Sequence, residues 1–332
     1  MDIENPSDLK LYLSSRGFGM LEHRVLPGGV SNRTVMTKLA DGSSIVVKQA
    51  RDRLKSDSEW CSDPKRIRHE ALAMEWLPRW TPVGSIPKLV FFDEPNFILA
   101  MEAIPRPHEE WKQQLLAGKI EEESFRKFGE LLASIHRGSY EEGSLVRPLF
   151  EDQSFFFSLR LEAYYLFTAQ QVPEVSSFLH QLVKDCRTRR FALVHGDYSP
   201  KNILVCGKRL ILLDHEAANF GDPTFDVGFG VTHFLSKALH IRTHRESIRD
   251  SAHSFWRTYE QGLPAAPEFS DVSERCVRQT LGCSLARVAG KSLLEYLTPE
   301  ERAQQRRIVL GLIAKPPATM HDLIDDFVGE VG

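Results

Sequence analysis

Residues 194–214, which read V-H-G-D-Y-S-P-K-N-I-L-V-C-G-K-R-L-I-L-L-D, constrain the fold of this chain more than any other stretch. Two short apolar runs, 203–205 and 210–213, flank the turn-forming residues 206–209. Apolar runs of this length around a short glycine-containing turn predict a hairpin of two antiparallel strands. The stretch therefore predicts a polar loop, residues 195–202, that leads directly into a hairpin.

The predicted hairpin brings three polar side chains together at one end. Asn202 comes directly before the first strand, Asp214 ends the second, and Asp197 lies upstream of both. Carboxylate and amide oxygens of this kind suit Mg²⁺ bound together with phosphates. A carboxylate left free of the metal can orient a hydroxyl or accept its proton. The alternative is a polar turn in which Asp197 and Asn202 only satisfy loop backbone.

The order of these residues resembles the catalytic layout of the protein-kinase-like phosphotransferases. The wording H-G-D-Y-S-P-K-N is more similar to the aminoglycoside phosphotransferase and choline kinase superfamily than to the protein kinases, which use H-R-D and D-F-G. This chain has H-G-D at 195–197 and D-H-E at 214–216. The resemblance implies that Asn202 and Asp214 hold Mg²⁺, and that Asp197 orients the acceptor hydroxyl and takes its proton.

A second hairpin is predicted from residues 26–39, a turn at 41–43 and a β-rich run at 44–49. Glycines in its loop let backbone N–H groups approach phosphate oxygens, and polar neighbours add donors. The candidate phosphate-binding residues are Gly28, Gly29, Ser31 and Asn32. The wording G-G-V-S-N-x-T followed by V-V-K-Q-A resembles the superfamily, especially its methylthioribose kinase branch, which implies that Lys48 pairs with the α- and β-phosphates of ATP. By itself the loop also fits a plain hairpin turn.

A helix is predicted to begin with Asp63 as its N-cap and Pro64 at its first position. Its apolar face is formed by Ile67, Ala71, Met74 and Leu77. Glu70 falls inside this face, where a carboxylate is costly unless it is paired. We expect Lys48 to be the partner, because kinases place a Lys–Glu pair in this order. The alternative is that Glu70 lies at the edge of the face and reaches solvent.

Two prolines, Pro105 and Pro107, mark a hinge between two lobes. We predict a two-lobed, protein-kinase-like α+β fold. The nucleotide-binding lobe, residues 1–103, contains a small antiparallel sheet and one helix. The catalytic and substrate lobe, residues 104–332, is larger and mainly helical.

The resemblance implies roles for four further residues. Backbone groups of Glu102 and Ile104 would hold the adenine. Asp226, in the pattern G-D-P-x-x-D, would hold the backbone of the catalytic loop. Glu216 matches a second acidic position near the metal in some relatives, and the alternative for it is a surface salt bridge.

An acceptor site is predicted on a helix over 272–296, since the superfamily binds its acceptor against C-terminal helices. Arg287 and Lys291 flank one side of the helix's apolar stripe, where they could offer donors to hydroxyls or to an anion. Such an acceptor would be a neutral polyol or sugar, or an anionic metabolite, and not a polyamine. The alternative is a solvated basic edge. A further helix is predicted over 300–328.

The composition is that of an ordinary soluble protein of 332 residues. A net charge of −3 gives no global attraction to nucleic acid or to a membrane surface. No apolar run approaches the roughly 20 residues that a membrane helix needs. The N-terminus lacks the pattern of a signal peptide, and five scattered cysteines without a C-x-x-C suggest neither a zinc site nor a disulfide framework. These features favour a cytoplasmic protein.

The sequence therefore predicts an ATP- and Mg²⁺-dependent kinase that transfers the γ-phosphate to a hydroxyl of a small molecule. The acceptor would be a sugar, a polyol or a related metabolite. One alternative is a catalytically silent nucleotide-binding module of the same fold. The other is a protein kinase, which the absence of H-R-D, D-F-G and A-P-E disfavours.

Overall fold

The computed structural model describes residues 1–27, 32–51 and 62–331. The predicted phosphate-binding residues Gly28, Gly29 and Ser31 lie outside the described residues, whereas Asn32 lies inside them. Among the described residues, no helix is both long enough and apolar enough to cross a membrane.

Within the described residues, the first third of the chain is rich in strands and the remainder is mainly helical. The strands are β1 Arg24–Val25, β2 Asn32–Lys38, β3 Ser44–Ala50, β4 Leu89–Asp93, β5 Ile98–Glu102, β6 Glu109–Glu110, β7 Ala192–Val194, β8 Ile203–Cys206, β9 Arg209–Leu212 and β10 Asn219–Gly221. The helices are α1 Pro6–Ser15, α2 Arg66–Trp76, α3 Trp111–Leu116, α4 Glu122–Glu141, α5 Gly143–Phe150, α6 Ser154–Phe156, α7 Phe167–Gln171, α8 Ser176–Thr188, α9 Thr224–His240, α10 Arg245–Gln261, α11 Val272–Ala289, α12 Pro299–Ala314 and α13 Met320–Val331. A π-helical segment, Phe157–Leu166, joins α6 to α7.

Five of the strands form one antiparallel sheet in the order β1-β2-β3-β5-β4. Side chains alternate across a strand, so Val47 and Lys48 on β3 point to opposite faces. Val47 packs with Leu9 and Leu13 of α1 in a small separate core. Lys48 therefore lies on the other face of the sheet, towards α2 and the rest of the protein.

The first turn of α2 differs from the prediction. The helix begins at Arg66, and neither Asp63 nor Pro64 belongs to it. Asp63 instead accepts a 2.9 Å hydrogen bond from the backbone N–H of Lys65, which closes a turn one step before the helix. The predicted face is nevertheless buried, and Glu70 within it is 0% exposed.

The helical part of the protein is built around an aromatic core that supports the catalytic loop. Trp111 on α3 packs edge-to-face against Phe125 and Phe128 of α4. Tyr198, in the loop of the central motif, stacks on Phe128 with ring centroids 4.0 Å apart. Its hydroxyl also donates a 2.7 Å hydrogen bond to the Phe128 carbonyl. The loop is therefore anchored to α4 by packing and by a buried hydrogen bond.

Two of the predicted C-terminal helices are wrong in extent. The helix predicted over 272–296 ends at Ala289, because the chain turns away at Gly290, where a side chain would meet the Ala286 carbonyl at 2.4 Å. The helix predicted over 300–328 is two helices, α12 and α13, separated around Pro316 and Pro317. Proline disfavours the helical conformation of the residue before it, which explains the break. The lobe boundary at residue 103 stays a prediction.

Candidate active site

The central hairpin forms as the sequence predicts and fixes two of the polar residues. Strands β8 and β9 pair antiparallel with Ile203 opposite Leu212. The backbone N–H of Leu213 donates to the Asn202 carbonyl at 2.9 Å, so the ladder continues to the end where Asn202 and Asp214 lie. Asp214 itself adopts a left-handed conformation with φ 68°, which turns the chain out of the strand.

Asp197 is buried and surrounded by donors on one side only. Its Oδ2 lies 2.9 Å from Lys201 Nζ and 3.2 Å from a guanidinium nitrogen of Arg160, and it accepts a 2.8 Å hydrogen bond from Asn202 Nδ2. Its Oδ1 has no hydrogen-bond partner among the described residues. Burial by itself raises the pKa of Asp197, but Arg160 and Lys201 outweigh it and hold that pKa below its ordinary value. Asp197 is therefore an ionised carboxylate whose Oδ1 can accept a hydrogen bond from a ligand.

Asp226 holds the backbone of the loop that carries Asp197. Its two carboxylate oxygens accept hydrogen bonds from the N–H groups of His195 at 2.6 Å and of Gly196 at 2.8 Å. Gly196 has φ 78°, and a side chain there would lie 2.8 Å from Ala217, so only glycine fits. His136 lies 3.3 Å from the same carboxylate and is fully buried, which agrees with a structural position.

Lys48 bridges the strand-rich and helical parts of the protein. Its Nζ lies 2.5 Å from Glu70 Oε1 and 3.2 Å from Asp214 Oδ1. Although burial alone lowers the pKa of Lys48, the two carboxylates raise it above its ordinary value. Burial raises the pKa of Glu70, whereas for Asp214 the nearby Lys48 and Lys201 outweigh burial and lower the pKa. The Asp214 side chain stays 26% exposed.

Glu216 is held by two residues from the other side of the cleft. Its Oε2 lies 3.0 Å from Arg66 Nε on α2 and accepts a 3.1 Å hydrogen bond from Asn32 Nδ2 on β2. Glu216 is 5% exposed, so the predicted alternative of a surface salt bridge does not apply. Both side chains are thus engaged with protein partners in this structure. The metal role of Glu216 and the phosphate role of Asn32 stay predictions.

A cavity of about 240 Å³ lies between the sheet and the central hairpin. Lys48 lies in its wall, together with Glu102, Ala103 and Ile104 from the predicted hinge. The rest of the lining comes from apolar side chains of both parts of the protein, among them Val46, Met101, Leu204 and Leu213. An apolar slot that ends at a lysine fits a planar heterocycle followed by phosphates.

Comparison with known proteins places the chain in a family. The sequence profile described as the phosphotransferase enzyme family, APH, matches residues 22–264. The chain belongs to this phosphotransferase family. The match covers more than half of the chain and includes the cleft, the catalytic loop and the central hairpin, so the resemblance predicted from the sequence is confirmed.

Curated relatives of this APH protein include two methylthioribose kinases. The enzyme from Citrobacter koseri is 26% identical over 252 residues, which is 68% of this chain and 62% of the relative. The enzyme from an Enterobacter species is 23% identical over 275 residues, which is 71% of this chain and 68% of the relative. The chain thus spans about three fifths of the length of the Citrobacter koseri kinase that it matches.

Two solved structures that share the fold of this chain are named for different acceptors. The amicoumacin kinase hAmiN, in complex with AMP-PNP, Ca²⁺ and Ami, gives a TM-score of 0.56 at 15% identity and covers 97% of each chain. The macrolide 2′-phosphotransferase MphH from Brachybacterium faecium gives a TM-score of 0.54 at 15% identity, over 94% of this chain and 98% of that one. These likenesses confirm the predicted two-lobed, protein-kinase-like fold.

The donor set of the APH protein fits a Mg²⁺ ion only in company with phosphate. The described residues contain no cluster of three or more His, Cys, Asp or Glu side chains that could hold a metal by themselves. Asp214 and Asn202 offer one carboxylate and one amide oxygen at the same end of the central hairpin. Mg²⁺ in phosphotransferases is held by one or two protein oxygens together with phosphates and waters, and this pair meets that pattern.

The structure corrects the predicted placement of Arg287 and Lys291. Lys291 lies beyond the end of α11, so the two residues do not share a helix face. Arg287 is 7% exposed and donates to the Tyr164 hydroxyl at 3.0 Å and to Ser292 Oγ at 2.7 Å. Lys291 Nζ lies 5.9 Å from the centre of the Phe167 ring. Arg287 is therefore a buried residue of the helical core, neither a solvated basic edge nor a partner of Lys291.

Two residues around Asp197 were missed by the sequence reading. Lys201 belongs to the central motif itself, four residues after Asp197, and the motif's spacing could have pointed to it. Arg160 lies in an aromatic-rich stretch that reads as a buried helix, and a single arginine within such a run is itself a signal. Its Nε also donates to the Gly196 carbonyl at 2.5 Å, so it fixes the catalytic loop as well as the carboxylate.

Proposed function

We propose that this protein is an ATP- and Mg²⁺-dependent small-molecule kinase that transfers the γ-phosphate to a hydroxyl of a sugar, a polyol or a related metabolite. Its acceptor chemistry would resemble that of methylthioribose kinases or aminoglycoside phosphotransferases. The observation that carries the proposal is the Asp197 carboxylate. It is ionised and positioned by Arg160, Lys201 and Asn202, and its Oδ1 has no partner among the described residues.

The nucleotide would lie in the cavity between the sheet and the hairpin. Backbone groups of Glu102 and Ile104 would hold the adenine, and Lys48 would contact the α- and β-phosphates. Glu70 keeps Lys48 extended across the cleft, because the two side chains form a buried ion pair at 2.5 Å. Gly28, Gly29, Ser31 and Asn32 would contact the phosphates.

Asn202 and Asp214 would hold the Mg²⁺, which would supply positive charge to offset the negative charge of the phosphates. Glu216 would act as a further acidic group near this position. Asp214 Oδ1 lies 3.2 Å from Lys48 Nζ. The proposed phosphate-binding lysine and the proposed metal-binding carboxylate are therefore neighbours.

The transfer step needs little chemistry from the protein beyond positioning. Asp197 Oδ1 would accept a hydrogen bond from the acceptor hydroxyl. This hydrogen bond would direct the hydroxyl oxygen towards the γ-phosphorus. The new O–P bond forms as the bond from the γ-phosphorus to the β–γ bridging oxygen breaks, and the hydroxyl proton passes to Asp197. The low pKa of Asp197 makes it a weak base, so we infer that the proton moves late, after the O–P bond has largely formed.

An assay of ATP consumption with Mg²⁺ against a panel of hydroxyl-bearing metabolites tests the proposal. A kinase gives acceptor-dependent ADP release that Asp197→Asn abolishes. A silent nucleotide-binding module binds ATP and gives no release with any acceptor. A protein kinase gives release only when a protein mixture is added. The cytoplasmic location and the absence of nucleic-acid and membrane partners stay predictions.

A further inference from the structure

One face of α9 carries a row of buried side chains that the proposed transfer step does not use. Phe229, His233 and Lys237 follow each other at four-residue spacing and are 2%, 3% and 1% exposed. Lys237 Nζ donates to the His233 carbonyl at 3.3 Å and lies 5.1 Å from the centre of the Tyr296 ring. Within the described part of the chain, no Asp or Glu forms an ion pair with it. Lys237 is thus a buried lysine without a carboxylate partner among the described residues.

A second buried cation faces this row across Tyr164. Arg287 donates to the Tyr164 hydroxyl at 3.0 Å, and the ring of Tyr164 lies 5.6 Å from that of Phe229. The Nε of Arg287 has no hydrogen-bond partner among the described residues, and no described carboxylate pairs with this guanidinium. Lys237 on α9 and Arg287 on α11 are therefore two buried basic residues on neighbouring helices, and neither forms an ion pair with a described carboxylate.

The aromatic side chains of this region also connect it to the surroundings of Asp197. Arg160, which pairs with Asp197 at 3.2 Å, stands one turn before Tyr164 on the π-helical segment. Its guanidinium carbon lies 5.8 Å from the centre of the Tyr164 ring and 5.9 Å from that of Phe229. π-Helical segments are rare and often occur at functional sites. A chain of side-chain contacts thus runs from Asp197 through Arg160 to Tyr164 and Arg287, and through Phe229 to His233.

The charged groups that act on His233, in the middle of this row, are positive. Burial, and then the positive charges of Lys237, Arg287, Lys201 and Lys112, hold the pKa of His233 well below its ordinary value. The Nε2 of His233 has no hydrogen-bond partner among the described residues. His233 therefore offers a buried ring nitrogen that a ligand could satisfy.

The charges near Lys237 do not cancel. Burial, together with the positive charges of Lys112 and Arg287, lowers the pKa of Lys237 to about 7, although Glu295 and Glu110 oppose this shift. Glu295 is already paired with Lys112. Long cationic side chains normally extend to solvent or find a carboxylate, because an isolated buried charge is strongly unfavourable.

We propose that the acceptor of this kinase is an anionic alcohol, whose carboxylate or phosphate binds Lys237, His233 and Arg287 while its hydroxyl lies at Asp197. This inference rests on the proposed function and narrows its acceptor class. The anion supplies the missing counter-ion, and it receives charge-assisted hydrogen bonds in a dry site, where such bonds are strongest.

A matched set of four probes tests the proposal by direct binding. D-Glucitol, D-gluconate and D-glucamine share one polyol chain and end in an alcohol, a carboxylate and an ammonium, and D-glucitol 6-phosphate ends in a phosphate. Calorimetry would measure their affinities for the full-length protein saturated with Mg²⁺ and a non-hydrolysable ATP analogue. The variants are Lys237→Met and, as a control, Lys184→Met, which removes an exposed lysine of α8.

We expect an anionic probe to bind most tightly to the wild type and to lose about 30-fold or more in affinity in Lys237→Met. The affinities of gluconate and glucitol 6-phosphate, compared with each other, show whether the site prefers a carboxylate or a phosphate. Lys237→Met should keep or raise its melting temperature without ligand, because an apolar side chain replaces a buried lysine that has no carboxylate partner among the described residues. Lys184→Met should behave as the wild type.

The proposal is overturned if glucitol or glucamine binds as tightly as the anions, if neither anion binds, or if Lys237→Met binds the anions as well as Lys184→Met does. ADP release with hydrolysable ATP is read separately. Anion binding without transfer to any acceptor would contradict the proposed kinase function and support the anion site. Transfer to neutral acceptors alone would support the kinase function and overturn the anion site.

Discussion

The side-chain amide of Asn202 donates a 2.8 Å hydrogen bond to Oδ2 of Asp197. The same amide nitrogen also donates to the Asp197 backbone carbonyl at 2.9 Å, so Asn202 fixes both the loop and its carboxylate. Because its nitrogen faces Asp197, its oxygen points the other way and can serve a metal. This one residue therefore links the proposed base to the proposed metal site.

Asp214→Ala should remove the Mg²⁺-dependent part of ATP binding, because Asp214 is the carboxylate placed to bridge the metal to the phosphates. Titration of ATP by calorimetry, with Mg²⁺ and with EDTA, measures this part directly. Asp326→Ala, at an exposed position of α13, is the matched control. An affinity that responds to Mg²⁺ equally in Asp214→Ala and in the wild type would contradict the metal assignment.

Lys48→Ala should weaken ATP far more than adenosine, since its proposed contacts are to phosphate. Removing one partner of a buried ion pair costs about 3–5 kcal/mol, so some loss of stability should accompany it. The ratio of ATP to adenosine affinities separates the two effects. Lys10→Ala, at an exposed position of α1, should leave the ratio unchanged. Equal losses for both ligands in Lys48→Ala would indicate a folding defect instead of a phosphate contact.

Asp226→Asn should lower kcat while leaving the KM for ATP nearly unchanged. Asp226 accepts from two backbone N–H groups, those of His195 and Gly196, with two separate oxygens. An amide has only one acceptor oxygen, so one N–H loses its partner, at a cost of about 1–3 kcal/mol in the free energy of unfolding. Asp326→Asn provides the control. A variant with wild-type kcat would show that the loop does not depend on this carboxylate.

The stability of the ligand-free protein should depend on pH through Lys237. Burial lowers the pKa of Lys237 from 10.5 to about 7 on folding, with Lys112 and Arg287 adding to burial and Glu295 and Glu110 opposing it. Between these two values the unfolded chain binds more protons than the folded protein, so this residue makes stability rise with pH.

Lys237→Met removes that contribution, so the variant's stability advantage should be largest near pH 7 and shrink towards pH 10. The gap should narrow by at most about 1.4 kcal/mol per pH unit. Denaturant unfolding of the wild type and of Lys237→Met across this range measures it, with Lys184→Met as control. A gap that is constant with pH would show that Lys237 is charged in the folded protein throughout.

The sequence predicts those parts of the site that depend on local pattern. The hairpin of β8 and β9 follows from two apolar runs around a glycine turn, and this alone brings Asn202 to Asp214. The pairing of Lys48 with Glu70 follows because a carboxylate on an apolar helix face needs a partner. In each case one element, or two neighbouring elements, decides the geometry.

The parts that depend on distant contacts could not be predicted in this way. Glu216 meets Arg66 from a helix 150 residues earlier in the chain, and Arg287 meets Tyr164 across 123 residues. Lys237 reads as a surface lysine near the end of a helix until packing shows it to be buried. Burial of a charge is a property of the assembled fold and leaves little trace in local sequence.

The central claim is that Asp197 serves phosphoryl transfer and not nucleotide binding. The direct test measures Asp197→Asn twice, for acceptor-dependent ADP release and for Mg²⁺–ATP affinity by calorimetry, against wild type. The substitution keeps the shape of the side chain and removes its charge. The account predicts a loss of about 10²–10⁴-fold in turnover with an ATP affinity close to that of the wild type. Full turnover in Asp197→Asn would contradict it.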